Sequence, residues 1–142
     1  MIAVDTNLLI YAHRAALKEH RAARRAIQRA SAQANGWGIP LPCVGEFWAV
    51  VTHPACAGGP SSPAQAREFL ASLIDGAGAR LWLPGEGFWR RWTQLAEHLG
   101  VQGSRVFDLQ IGLIAYDNGA VEIWTHDRQF AVISGLRVHD PL

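Results

Sequence analysis

Four acidic residues of this 142-residue chain, Asp5, Glu46, Asp108 and Asp127, sit in or beside apolar runs, each where a strand ends or a helix begins. In MIAVDTNLLIYAH, a short strand from Ile2 to Val4 runs into Asp5 and then into an apolar helix. Glu46 opens EFWAVV, in the first turn of the helix expected after the Pro-bracketed extended segment 39–42. Asp108 heads DLQIGLIAYDNG, apolar until Asp117 and stopped at Gly119 as a C-terminal cap. Asp127 follows the strand 121–124 in VEIWTHDRQF. Taken singly, an acid at such a place caps free N–H groups or complements the helix dipole, for ~0.3–2 kcal/mol. Asp5 and Asp127 suit that role best. As a set the four ask for more, because clustered carboxylates in apolar surroundings repel one another and resist desolvation, and stay ionised only beside a compensating cation. An all-oxygen acidic cluster suits Mg²⁺ or Mn²⁺. Such ions serve phosphodiester hydrolysis: one lowers the pKa of a water and a second, ~3.5–4 Å away, stabilises the leaving oxygen. In that reading Asp5 and Asp108 ligate directly, Glu46 and Asp127 directly or through water, and one of these acts instead as general base if it is not a ligand.

Convergence of the four requires particular elements. The pattern predicts strand 2–4, helices across 7–34 broken near His13, strand 39–41, helix 44–52 and a Gly/Pro/Ser loop 54–62. Helix 63–75 follows, with Ser62, Pro63 and Gln65 as N-cap, first-turn proline and capping-box glutamine. Strand 80–83, helices 86–99 and 106–118, strand 121–124, a short helical turn after Asp127 and strand 136–139 complete an α/β pattern with a mostly parallel sheet. Parallel strands share one polarity, so the loops after them open onto one edge. The helix from Asp108 leads through Gly119 into the strand at Val121, and so starts at that same edge. All four carboxylates are therefore expected at one rim.

Composition bounds the class. The length fits one domain, 49% hydrophobic and 18% charged residues describe a globular chain, and a net charge of +1 announces no global field for nucleic acid. No apolar run reaches the ~18 residues of a membrane span and no basic, apolar leader opens the chain, from which a cytoplasmic protein is expected. Cys43 and Cys56 have no ligand spacing for zinc and read as buried thiols.

The opening VDTNLLIYAH, VFDLQIGLIAYDNG and WTHDRQF together resemble the motifs of the PIN-domain family, and closely those of its VapC-type toxin ribonucleases. The resemblance covers residues 1–142 as a single PIN-like domain, a three-layer α/β sandwich with a mostly parallel central sheet flanked by helices. It matches Asp5, Glu46, Asp108 and Asp127 to the family's four metal-binding acids. It also implies supporting roles for Asn7 and Thr125, Mg²⁺ or Mn²⁺ as cofactor, and single-stranded or looped RNA as substrate, with 5′-phosphate and 3′-hydroxyl products. The partners it implies are a VapB-type antitoxin that covers the site, with an Arg entering the acidic pocket, and a second copy in a homodimer. Two departures stand out: Gln129 occupies the place of a frequent further acid before Phe130, and no Arg follows Glu46 within its helix.

Arg14, Lys18, Arg21, Arg25 and Arg29 are spaced four, three, four and four, so a continuous helix would gather them on one face for RNA phosphates, or simply for solvent. Asp117, nine residues from Asp108, falls on the far side of its helix and outside the site. Two other classes compete. Phosphatase or response-regulator chemistry wants a second acid beside Asp5 or a late lysine, and Lys18 is the sole lysine. A catalytically silent RNA- or protein-binding module on the same fold would not need four intact acids.

Overall fold

The computed structural model describes residues 1–131 and 133–142. Strands β1 (Ile2–Val4), β2 (Trp37–Pro40), β3 (Arg80–Trp82), β4 (Glu122–Trp124) and β5 (Arg137–His139) alternate with helices α1 (Thr6–His13), α2 (His20–Ser31), α3 (Leu41–Val51), α4 (Pro63–Ala71), α5 (Phe88–His98) and α6 (Arg105–Asp117). The strands form one sheet in the order β3-β2-β1-β4-β5, and every pair is parallel. The central strands are apolar throughout because both faces are covered: Ile2, Ala3 and Val4 are all buried, as is every residue of β2. The chain runs from β1 outward through β2 to the edge strand β3, then returns through α5 and α6 to β4 on the other side of β1. The strand order reverses beside β1, between β2 and β4. A crevice at the carboxyl ends of β1 and β4 is the consequence.

Local chemistry sets most element boundaries where the sequence places them. Ser62 and Gln65 form both bonds of the capping box at the start of α4, which runs on into a π-helical turn at Ser72–Gly76. Gly119, with φ of 86°, ends α6: its N–H donates to the Tyr116 carbonyl and the Ala120 N–H to that of Ala115, the paired bonds of a Schellman motif. Two expectations need correction. Helix α3 starts at Leu41, since Pro40 is its extended N-cap and Pro42 sits in the first turn, where its missing N–H is no loss; Glu46 therefore lies in the second turn. No helix follows Asp127, where the chain instead makes a turn closed by the Phe130 N–H on the Asp127 carbonyl.

The sheet tolerates no side chain at Gly38, because a Cβ there would lie 2.4 Å from the Trp82 ring, packed across from β3. We expect Gly38→Ala to lower stability by on the order of 1–3 kcal/mol through overpacking. An unchanged urea midpoint would show that Trp82 can swing clear.

Candidate active site

Asp5 is the hub of the rim. It ends β1 and is the N-cap of α1, its Oδ1 accepting from the Thr6 N–H at 2.7 Å. Its Oδ2 accepts from the Asn7 Nδ2 at 2.9 Å and from the Thr125 hydroxyl at 2.7 Å. The Thr125 Oγ1 also accepts from Asn7 Nδ2 at 2.8 Å and from the Asp127 N–H at 3.0 Å, so this buried hydroxyl uses its one donor and both acceptors. Asn7 is equally engaged, its Oδ1 taking the His126 N–H at 3.0 Å. One closed network thus ties the end of β1 to the loop after β4. Glu46 is held from the same turn: the Thr6 hydroxyl donates to its Oε2 at 2.6 Å. Asp5 is a helix cap, as its position predicts, and Asp127 Oδ1 accepts from the Gln129 N–H at 2.8 Å and shapes its own turn.

Glu46, Asp108 and Asp127 line one open cleft of about 310 Å³, together with Arg105, Phe107 and Gln129. A larger groove of about 680 Å³, between α2 and α4, contains Ile27, Phe69 and Leu73 but no carboxylate. Chemistry therefore favours the smaller cleft. Burial pushes the Asp5 carboxyl up to about 6, against the hydrogen bonds of Thr125 and Thr6, and the charges of Glu46 and Asp108 raise it further. Asp108 is also raised, first by desolvation and then by Asp127, with Arg105 opposing. Crowded anions short of counter-charge are what a divalent cation relieves. The donors are all oxygen, the preference of Mg²⁺ and Mn²⁺, and Asp5, whose Oδ1 also faces the buried Cys43 thiol at 3.9 Å, is the most fully bonded of the four. Among the described residues no three acids, histidines or cysteines close around a common point.

The PIN domain model matches residues 2–136. The chain belongs to the PIN-domain family. Among its relatives, the VapC ribonuclease Mb2897 of Mycobacterium bovis is 33% identical over 142 residues, all of this chain and 96% of that protein. Ribonuclease VapC48 of Mycobacterium tuberculosis is 28% identical over 137 residues, covering 96% of this chain and 94% of the relative. The crystal structure of M. tuberculosis VapC20, described as a sarcin-ricin loop cleaving toxin, superposes with a TM-score of 0.67 over 92% of both chains, at 17% identity, a likeness of fold.

Other candidates of this PIN domain fare differently. The basic stripe does not exist as one helical face. Helix α1 stops at His13, whose ring packs against Phe47 and Phe69, and the chain re-enters helix only at His20. Arg14 turns to the carbonyls of Ala57 and Gly59, Lys18 pairs loosely with Glu19, and Arg29 lies over the Trp124 ring and donates to the Pro141 carbonyl. Only Arg21, Arg25 and Arg29 share α2. Asp117 pairs with Arg91 at 2.7 Å, away from the acids, as its spacing predicts. Trp37 and Trp82 are core, but Trp89 is exposed beneath Arg90. Sequence reasoning missed Thr6, whose only signal is its place between Asp5 and Asn7, and Phe107, the exposed aromatic beside Asp108.

Two outcomes follow from this geometry. Because, among the described residues, Thr6 alone holds Glu46 by a side-chain bond, Thr6→Val should weaken metal activation by ~10–100-fold, the usual cost of losing a partner of a metal-binding group, while Thr6→Ser keeps it. The check is the metal concentration giving half-maximal cleavage; equal values for Val and Ser would make the bond incidental. An acid whose folded pKa lies above its unfolded value binds its proton more tightly when folded. The Asp5 contribution is therefore present below about pH 4 and lost as pH rises through about 6, for up to about 3 kcal/mol. Melting in chelator should accordingly occur at lower temperature at pH 7 than at pH 5, and a rise over that interval contradicts the assignment.

Proposed function

We propose that this PIN domain is the toxin of a toxin–antitoxin pair, an endoribonuclease that hydrolyses RNA phosphodiesters with Mg²⁺ or Mn²⁺ held by Asp5, Glu46, Asp108 and Asp127. The observation that carries the reading is the buried Asp5 carboxylate, pushed up to about 6 beside Glu46 and Asp108 at the carboxyl edge of a parallel sheet. Full-length similarity to proteins named VapC ribonucleases supports the same reading. A bound divalent ion would supply a more acidic water and neutralise the charge that develops on the phosphate. The chain's own groups provide the rest. Asn7 and Thr125 fix the Asp5 carboxylate, and Thr6 fixes Glu46. Arg105, already balancing Asp108, is the cation nearest to where an RNA phosphate would lie. Arg21 and Arg25 on the exposed side of α2 add diffuse attraction for the RNA backbone. A VapB-type antitoxin and a second copy of the chain are the proposed protein partners. No helix among the described residues is long and apolar enough to cross a membrane.

Purified, antitoxin-free protein should cleave members of a defined RNA panel in Mg²⁺ or Mn²⁺ and none in chelator. Asp108→Asn, at a carboxylate with no side-chain hydrogen bond to lose, should fold and lose about 100-fold or more of the activity, since even outer partners of such sites are worth ~10–100-fold. Asp117→Asn, which breaks only an exposed pair with Arg91, should cleave normally. Full cleavage by Asp108→Asn, or cleavage in chelator by the parent, would falsify the assignment.

A further inference from the structure

The cleft bounded by Glu46, Asp108 and Asp127 is lined by charged or polar residues with one exception, Phe107. This ring is 51% exposed and, among the described residues, pairs with no other aromatic. An exposed apolar residue on an open surface is ordinary. Here the place is not ordinary. Helix α6 completes its core-facing side without Phe107, through the buried Leu109, Ile111, Leu113 and Ile114. The ring instead sits in the first turn, next in sequence to Asp108, in the cleft that a scissile phosphate must enter. A phosphodiester reaching the acids brings its neighbouring nucleobase within the same small space, and every base offers a π-face to an aromatic ring. In a duplex those faces are already stacked, so only an unpaired base can use the ring.

Resting on the endoribonuclease reading and on the unpaired RNA its family resemblance implies, we propose that Phe107 is the stacking platform for an unpaired nucleobase beside the scissile phosphate. Arg105, two residues earlier on the same turn, lines the same cleft and donates to the Gln129 carbonyl, which leaves its remaining N–H groups for the adjoining phosphate. Stacking of this kind tolerates any base, so Phe107 selects strandedness and leaves sequence choice to other contacts.

The test uses the Asp108→Asn protein in Mg²⁺ buffer, with a set of hairpin RNAs carrying 2-aminopurine in the loop and fully paired controls of the same sequences. Loop binding should quench the 2-aminopurine. Adding Phe107→Ala should weaken hairpin binding by about 5- to 150-fold, corresponding to the ~1–3 kcal/mol of a base–aromatic stack, and abolish the quench, with duplex binding unchanged. Phe107→Tyr should restore both. Equal affinity of Phe107→Ala for the hairpins, equal loss on hairpin and duplex, or rescue by Phe107→Leu overturns the proposal. So does a parent without loop preference, or a Phe107→Ala protein that loses only antitoxin binding, which would mark the ring as a protein contact. Cleavage by the wild-type protein is scored separately: if it persists while stacking fails, only the role of Phe107 falls, and if no RNA is cleaved the endoribonuclease reading falls with it.

Discussion

A carboxylate buried at the end of the central strand is the constraint around which this molecule is arranged. Asp5 lies where water is excluded, and burial alone would leave it protonated near neutral pH. Its surroundings oppose that with a backbone N–H, an amide and a hydroxyl, all donating to it. Those donors come from both strands of the crevice: Thr6 and Asn7 follow β1, and Thr125 follows β4. The network that keeps Asp5 charged is therefore the same one that fixes the loop bearing Asp127. Polar satisfaction is complete, with no buried side-chain nitrogen or oxygen left unpartnered among the described residues.

The remaining acids are added to this hub by polarity. Since all strands run the same way, every chain segment leaving the sheet at its carboxyl edge passes the crevice, and α6, running against β4, begins there. Glu46 and Asp108 come from separate helices that touch each other near the rim. Each acid raises the cost of ionising its neighbours, as the upward shifts of Asp5 and Asp108 display. Stability is thus surrendered to make a site that wants a cation, a common trade at functional positions.

Division of labour within the rim is equally physical. Buried Asp5 is held by three hydrogen bonds from nitrogen and oxygen donors, whereas among the described residues Asp108 makes no side-chain hydrogen bond and Asp127 is exposed in a turn. A fixed anchor with adaptable companions suits an ion that retains much of its water. The histidines stay out of this chemistry: His13 is packed between Phe47 and Phe69, and His126 faces Asp140 at 2.9 Å on the outer side of the loop.

Much of this was legible in the residue order. Apolar runs ending in acids, the Ser62–Gln65 capping box and the Gly119 stop are local signals, and local bonding fixes them regardless of what lies across the molecule. Strand polarity follows from the alternation of strands and helices, and it brings Glu46, Asp108 and Asp127 to one cleft with Asp5 buried at the end of β1. The tertiary structure decided what depends on distant neighbours. A break near His13 was legible, but its extension to His20, with Arg14 turned to the carbonyls of Ala57 and Gly59, depended on residues far along the chain. The role of Thr6 hinged on Glu46, forty residues away, and the exposure of Phe107 on a core that Leu109 and Ile111 already fill. A side chain's periodicity announces which way it points along its own element; what it meets there is written in another part of the chain.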